Sequence, residues 1–190
     1  MKMNGSRVNS RGARLTKENR MTLSIGEKVS LPSHGPCVIG AVVNKLVGGT
    51  STSFYRLAPL EDNGGELFIP VDKITGLGIR QLLQKSEIPK LLGRLSQPGK
   101  AIQPPSTARN WKQRALDNGK LLSSGSASDL VQIVESLTDL NETKTLAPHE
   151  RQTLERAKKL LVCEIAEVLG EPRSAVDEQI ERALQSRKAG

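Results

Sequence analysis

The chain has 190 residues, of which 36% are hydrophobic and only 2% aromatic, and it carries a formal net charge of +8. That length suits one large domain or two small ones, with cores built from Leu, Ile, Val and Ala. No apolar run is long enough to span a membrane, and the N-terminus lacks the apolar stretch of a secretory signal. The excess charge favours a polyanionic partner. It is unevenly spread: six basic groups face one acid in residues 1–20, five face five in 21–80, eight face two in 81–125, and nine face twelve in 126–190.

Residues 1–20 are polar and Arg-rich and read as a disordered basic tail. Residues 21–78 read as short strands. The predicted strands are Lys28 to Leu31, Val38 to Asn44, Ser53 to Ala58 and Glu66 to Ile69. Turn formers separate them: Pro32 to Pro36, Gly48-Gly49, and Asp62 to Gly65. Short strands at even spacing with Gly-rich turns predict a small, mostly antiparallel barrel of SH3 or Tudor type.

Residues 79–190 read as helical, which makes the expected fold class α+β: a barrel followed by an all-helical domain of about five helices. Ile88, Leu91, Leu92 and Leu95 mark one helical face. Pro98, Gly99, Pro104 and Pro105 then predict a loop. A helix over 107–122 would carry Trp111, Ala115 and Leu122 on one side, and Gly125 ends it. Ser126 and Asp129 predict the start of a helix that buries Leu130, Ile133, Val134 and Leu137. Pro148 and Glu150 suit the first turn of the next, with a stripe of Leu154, Ala157, Leu161, Ile165 and Val168 up to Gly170. A last helix over 172–186 turns Val176, Ile180, Ala183 and Leu184 inward.

Enzyme chemistry finds no residue set. There is no phosphate-binding loop, dinucleotide fingerprint or nucleophile elbow. His34 and His149 sit in a turn and at a helix start. Glu164, Glu167 and Glu171 have the spacing of an ordinary solvated helix face. Cys37 and Cys163 are far apart and read as buried apolar residues, so no metal or cofactor is implied. The central basic segment surrounds the one tryptophan. Two readings of Trp111 stay open on its residues alone. It is a core side chain, or it is an exposed indole flanked by Arg109, Lys112, Arg114 and Lys120 that meets nucleic acid.

Two stretches carry a resemblance. The first is Gly26-Glu27-Lys28-Val29, then Leu31 to Gly35, Phe54-Tyr55-Arg56-Leu57, Ile69-Pro70-Val71-Asp72-Lys73, and Gly76-Leu77-Gly78-Ile79-Arg80. It resembles the polymerase-interacting module shared by the CarD/CdnL family and the transcription-repair coupling factor. The second is Arg109-Asn110-Trp111-Lys112-Gln113-Arg114, then Leu121 to Gly125, Leu130 to Leu140 and Leu146 to Leu161. It is similar to the helical domain of the stand-alone CarD/CdnL branch, and no helicase motif follows it.

The resemblance implies a cytoplasmic, monomeric transcription regulator whose partners are the bacterial RNA polymerase β subunit and promoter DNA. By match, Trp111 wedges at the upstream fork of the melted bubble while Arg109, Lys112, Arg114 and Lys120 hold phosphates. The barrel would meet polymerase by sheet-edge pairing and through Lys45, Arg56, Phe68 and Pro70. Phe68, Gln113 and Leu116 depart from positions that are basic in relatives, and Lys100 is a candidate replacement. A protein-interaction adaptor and a nucleic-acid binder driven by charge alone are the alternative readings of the same composition.

Overall fold

The β-branched run around Val38 to Val43 extends into one long strand because Gly48-Gly49 can reverse the chain in two residues. Both glycines have positive φ, +58° and +83°, as a two-residue hairpin turn requires. The computed structural model describes residues 23–61, 65–97 and 111–189. In it β1 (Lys28–Leu31), β2 (Gly35–Val47), β3 (Thr50–Pro59), β4 (Leu67–Pro70) and β5 (Arg80–Gln81) form one antiparallel sheet in the order β4-β3-β2-β1-β5.

The four expected strands are present, β2 and β3 longer than expected. A 3-10 segment (Val71–Leu77) and the short β5 were not marked by any alternation. The sheet thus takes in Arg80 and Gln81, past residue 78. The turn at 62–64, the tail at 1–20, Lys100 and Arg109 lie outside the described residues.

Val29, Leu31, Cys37, Ile39, Leu57, Ile69, Ile74 and Ile79 make the core of this module. Burial pushes the Cys37 thiol up to about 11, so it stays a neutral apolar filler. A register shift between Ile39 and Val42 separates the buried half of β2 from an exposed ribbon beyond it.

The remainder is helical: α1 (Ile88–Ser96), α2 (Trp111–Ser124), α3 (Ala127–Thr143), α4 (Pro148–Leu169) and α5 (Arg173–Ala189). Ile88, Leu91 and Leu95, then Leu130, Ile133, Val134 and Leu137, then Val176, Ile180 and Leu184 are buried as their spacing predicts. Pro148 starts α4, and the Glu150 carboxylate accepts from the Ala147 N–H at 3.0 Å. Ser126 precedes α3 but makes no side-chain cap; Asp129 instead accepts from Ser124 Oγ at 2.5 Å.

The single stripe expected on α4 is corrected. Leu160 through Ala166 are all buried, because α3 and α5 cover one side and the β module covers another. Glu164 belongs to that run and is 1% exposed, so it is not part of a solvated face. The turn tip of the β module, Pro32, lodges against the α2–α3 connection. A Cβ on Gly125 would lie 2.7 Å from Pro32 Cγ and 3.2 Å from its Cα.

Gly125 and Gly170 both end helices at positive φ, +68° and +72°, but a Cβ on Gly170 would meet nothing within 4 Å. Alanine at either site costs backbone strain. Gly125→Ala should cost at least about 1 kcal/mol more than Gly170→Ala, through overpacking against Pro32. Urea denaturation of the two variants checks this; equal losses would mean that Pro32 gives way freely.

Candidate functional site

Helix α2 begins, among the described residues, at Trp111, and it has no buried residue of its own. Leu121 and Leu122 pack partly against the helical core, and Arg114 adds a polar anchor. Its Nε and Nη2 donate to Glu150 Oε1 at 2.9 and 2.7 Å, and the two side chains are 12% and 1% exposed. Burial by itself would raise the Glu150 carboxyl. The Ala147 N–H, the Arg114 hydrogen bonds and charge, and neighbouring His149 outweigh it and hold the group below the ordinary carboxylate range.

Trp111 is 54% exposed. Its ring lies 5.6 Å from that of His149, tilted by 54°, so one residue of α4 supports the indole from beneath. The Lys112 ammonium is 5.7 Å from the same ring. Lys112, Leu116 and Lys120 follow at four-residue spacing on the exposed side of α2, and Leu116 is 61% exposed. Gln113 donates to Asp117 Oδ1 at 3.0 Å.

The structure thus brings Trp111, Lys112 and Lys120 to one exposed helix. It turns Arg114 inward, into an ion pair. His149 and Glu150 were read only as first-turn residues. Nothing local in the sequence links them to Trp111 and Arg114, more than thirty residues away.

The second group of expected residues shares the outer face of the sheet. Arg56 lies directly opposite Phe68, and Phe54 opposite Pro70. Lys45 faces Thr52 on the same side, two steps from Phe54. The Lys45 ammonium sits 3.1 Å above the Phe68 ring, which is 37% exposed. Arg56 Nη1 is 3.3 Å from Glu66 Oε1, and its side chain crosses Gly40, where a Cβ would be 3.2 Å from Arg56 Nε. β4 ends the strand order, so its outer edge is unpaired within the described sheet.

Removing the cation from a buried pair leaves a carboxylate without its partner. Arg114→Met should destabilise the protein by about 3–5 kcal/mol, and Arg114→Met with Glu150→Leu should recover much of it. The pair also sets a pH dependence. The folded Glu150 carboxyl holds a proton less firmly than the unfolded one, so its stabilisation is fully present above the ordinary glutamate range. It is lost as pH falls through the lower folded value. Chemical denaturation across that acid range should show the gap between wild type and Glu150→Gln closing. A gap independent of pH would rule out ionised Glu150 as the anchor.

No helix among the described residues is long and apolar enough to cross a membrane. Residues 23–83 match the model of the CarD-like/TRCF RID domain, and residues 100–181 match that of the CarD C-terminal domain. The first match covers the whole five-stranded sheet, which is therefore a Tudor-like module. The second begins ahead of the exposed indole and runs into α5. With both modules present in this order, the chain belongs to the CarD/CdnL-like family of RNA-polymerase-interacting transcription regulators.

Proposed function

We propose that the protein, as a monomer, docks on the β subunit of bacterial RNA polymerase and stabilises the open promoter complex by setting Trp111 against the upstream fork of the bubble. The observation that carries this reading is the half-exposed indole, held from below by His149. An indole that served only the core would forgo most of its burial in that position. A flat apolar ring wedges or stacks where bases are unstacked. Lys112 lies beside the ring, and Lys120 lies about two and a half turns beyond Trp111 on the exposed side of α2; both would meet phosphate without reading sequence. Arg114 supports the surface from inside, by fixing α2 to α4.

The Tudor-like module would supply the docking. Its outer face combines the Lys45–Phe68 pair with Arg56 and Pro70 beside the unpaired edge of β4. An edge strand offers main-chain pairing, and a half-exposed ring offers an apolar anchor. An adaptor that used the same face without touching DNA would have no use for the exposed tryptophan.

Stabilising the open promoter by about 1–2 kcal/mol shifts its equilibrium by about 5- to 30-fold. Open-complex lifetime, followed with a fluorescent bubble reporter and the holoenzyme, should lengthen with the wild-type protein. Trp111→Ala should lose most of that gain and still bind polymerase. An unchanged wild-type lifetime, or a Trp111→Ala variant as active as wild type, would sink the wedge. Separately, Phe68→Ala should weaken capture of the β subunit by about 10-fold or more if the ring is an anchor, with forked-DNA binding unchanged. Surface plasmon resonance on both ligands separates the two effects.

A further inference from the structure

The deepest polar group between the two modules is Glu164 on α4, 1% exposed. Its Oε1 accepts from Arg80 Nη1 at 2.6 Å and from the Leu83 N–H at 3.0 Å. Its Oε2 accepts from Arg80 Nη2 at 2.8 Å and from Ser30 Oγ at 3.3 Å. Four donors fill the four acceptor positions of a carboxylate. Arg80 is nearly as fully used, since its Nε donates to Gly125 O at 2.8 Å and Nη1 also to Gln81 O at 3.0 Å. One guanidinium on β5 therefore grips α4 and the α2–α3 connection at once.

The surroundings of this pair are polar too. Lys28 pairs with Glu167 and Lys159 with Glu61. Arg156 donates to Ser33 O at 3.0 Å and Arg173 to Leu60 O at 2.8 Å. The two apolar cores are separate clusters with no residue in common. Apolar contact between the modules includes Pro32 against Gly125 and the Leu160 side chain against Gly35, beside the covered run of α4. Directional bonds therefore cross this interface beside its apolar contacts, and inter-domain interfaces rich in polar contact leave relative motion open unless such bonds restrain it. A bidentate arginine fork is the most directional of such bonds.

We propose that Arg80 and Glu164 are positioning residues: their fork fixes the angle between the Tudor-like module and the helices, so that docking on polymerase delivers Trp111 to one place. This rests on the open-complex reading above. A rigid link keeps the effective concentration of α2 at the DNA high; a loose link spreads it over a larger volume. The pair lies outside both proposed contact surfaces and would act through orientation. As a contribution to stability it is replaceable, because a buried ion pair often does no better than an apolar one of similar shape.

The test uses the full chain with Arg80→Met/Glu164→Gln, which removes both charges together, and with Arg80→Lys, which keeps the charge and loses the fork. Nitroxide labels on Ala58→Cys in β3 and Gln132→Cys in α3, both exposed positions, report the distance between modules. Circular dichroism confirms the fold of each variant. In both variants the distance distribution should broaden, while affinity for holoenzyme and for forked DNA alone stays at the wild-type value. The gain in open-complex lifetime should fall by about 3- to 10-fold.

A distribution that stays as narrow as wild type in both variants overturns the proposal, because something else then holds the angle. So does a broadened distribution with an undiminished lifetime gain. If the wild-type protein itself leaves the lifetime unchanged, the open-complex reading fails and the delivery role falls with it. The distance distributions then still decide whether the fork holds the angle.

Discussion

A carboxylate withdrawn from water has to be given donors, and the arrangement of this molecule follows from where α4 obtains them. Glu150 and Glu164 are fourteen residues apart on that helix and both are 1% exposed. Fourteen residues is close to four turns, so the two carboxylates look in similar directions about 21 Å apart along the axis. Each receives an arginine from a different element, Arg114 from α2 and Arg80 from β5. α4 is thus a spine, with the tryptophan-bearing helix fixed near its start and the Tudor-like module fixed in its second half. Leaving either carboxylate unpaired would carry a cost comparable to a sizeable fraction of a domain's stability.

The same economy governs the aromatic residues. The chain has two Phe, one Tyr and one Trp, and the helical core uses none of them. Leu, Ile, Val and Ala fill that space, with helix faces meeting at ordinary spacing. Of the four aromatic side chains, Tyr55 packs partly against the core of the β module. Trp111 and Phe68 are left among the exposed large hydrophobics, and each has a lysine ammonium beside its ring. Two of the scarcest side chains thus stand on the surface, each with a cation beside it, where the proposed function assigns them a partner. A lysine near a ring also keeps an exposed apolar surface hydrated at its rim until something covers it.

Periodicity made most of this fold legible. The residues turned inward on α1, α3 and α5 are those whose spacing marks a helical face, and Gly125 and Gly170 stop helices where expected. β1 coincides with its predicted span, since Lys28 to Leu31 lies between a glycine and a proline turn. What failed to show was whatever depends on a distant neighbour. Glu164 has the local spacing of a solvated residue and is buried only because the β module lies across it. Arg114 stands among other basic residues, and its inward turn is decided by a glutamate on α4. β5 is two residues long and cannot show an alternation. The Tudor-like character was legible because short strands and turn geometry leave a local mark in sequence, whereas the residues around Trp111 left its exposure open and only the family resemblance pointed outward.

The surface of α2 has a further consequence for the proposed mechanism. Arg114 is committed to Glu150, and Gln113 is joined to Asp117, so Lys112 and Lys120 are the cations on the exposed side of the described helix. Each neutralised phosphate contributes a slope of about −0.9 in log affinity against log salt on duplex DNA. Two such contacts from the described part of α2 would by themselves give a shallow slope of about −1.8. Leu116 between them adds apolar surface where a third cation would otherwise strengthen phosphate contact. A surface of this composition suits a residue brought to its target by a separate attachment, where affinity comes from the tether and the indole supplies the local effect. In the proposed mechanism, weak binding by this helix would leave the protein on polymerase rather than scattered over duplex DNA, and would make the angle between docking module and helix the quantity that decides whether the tryptophan arrives.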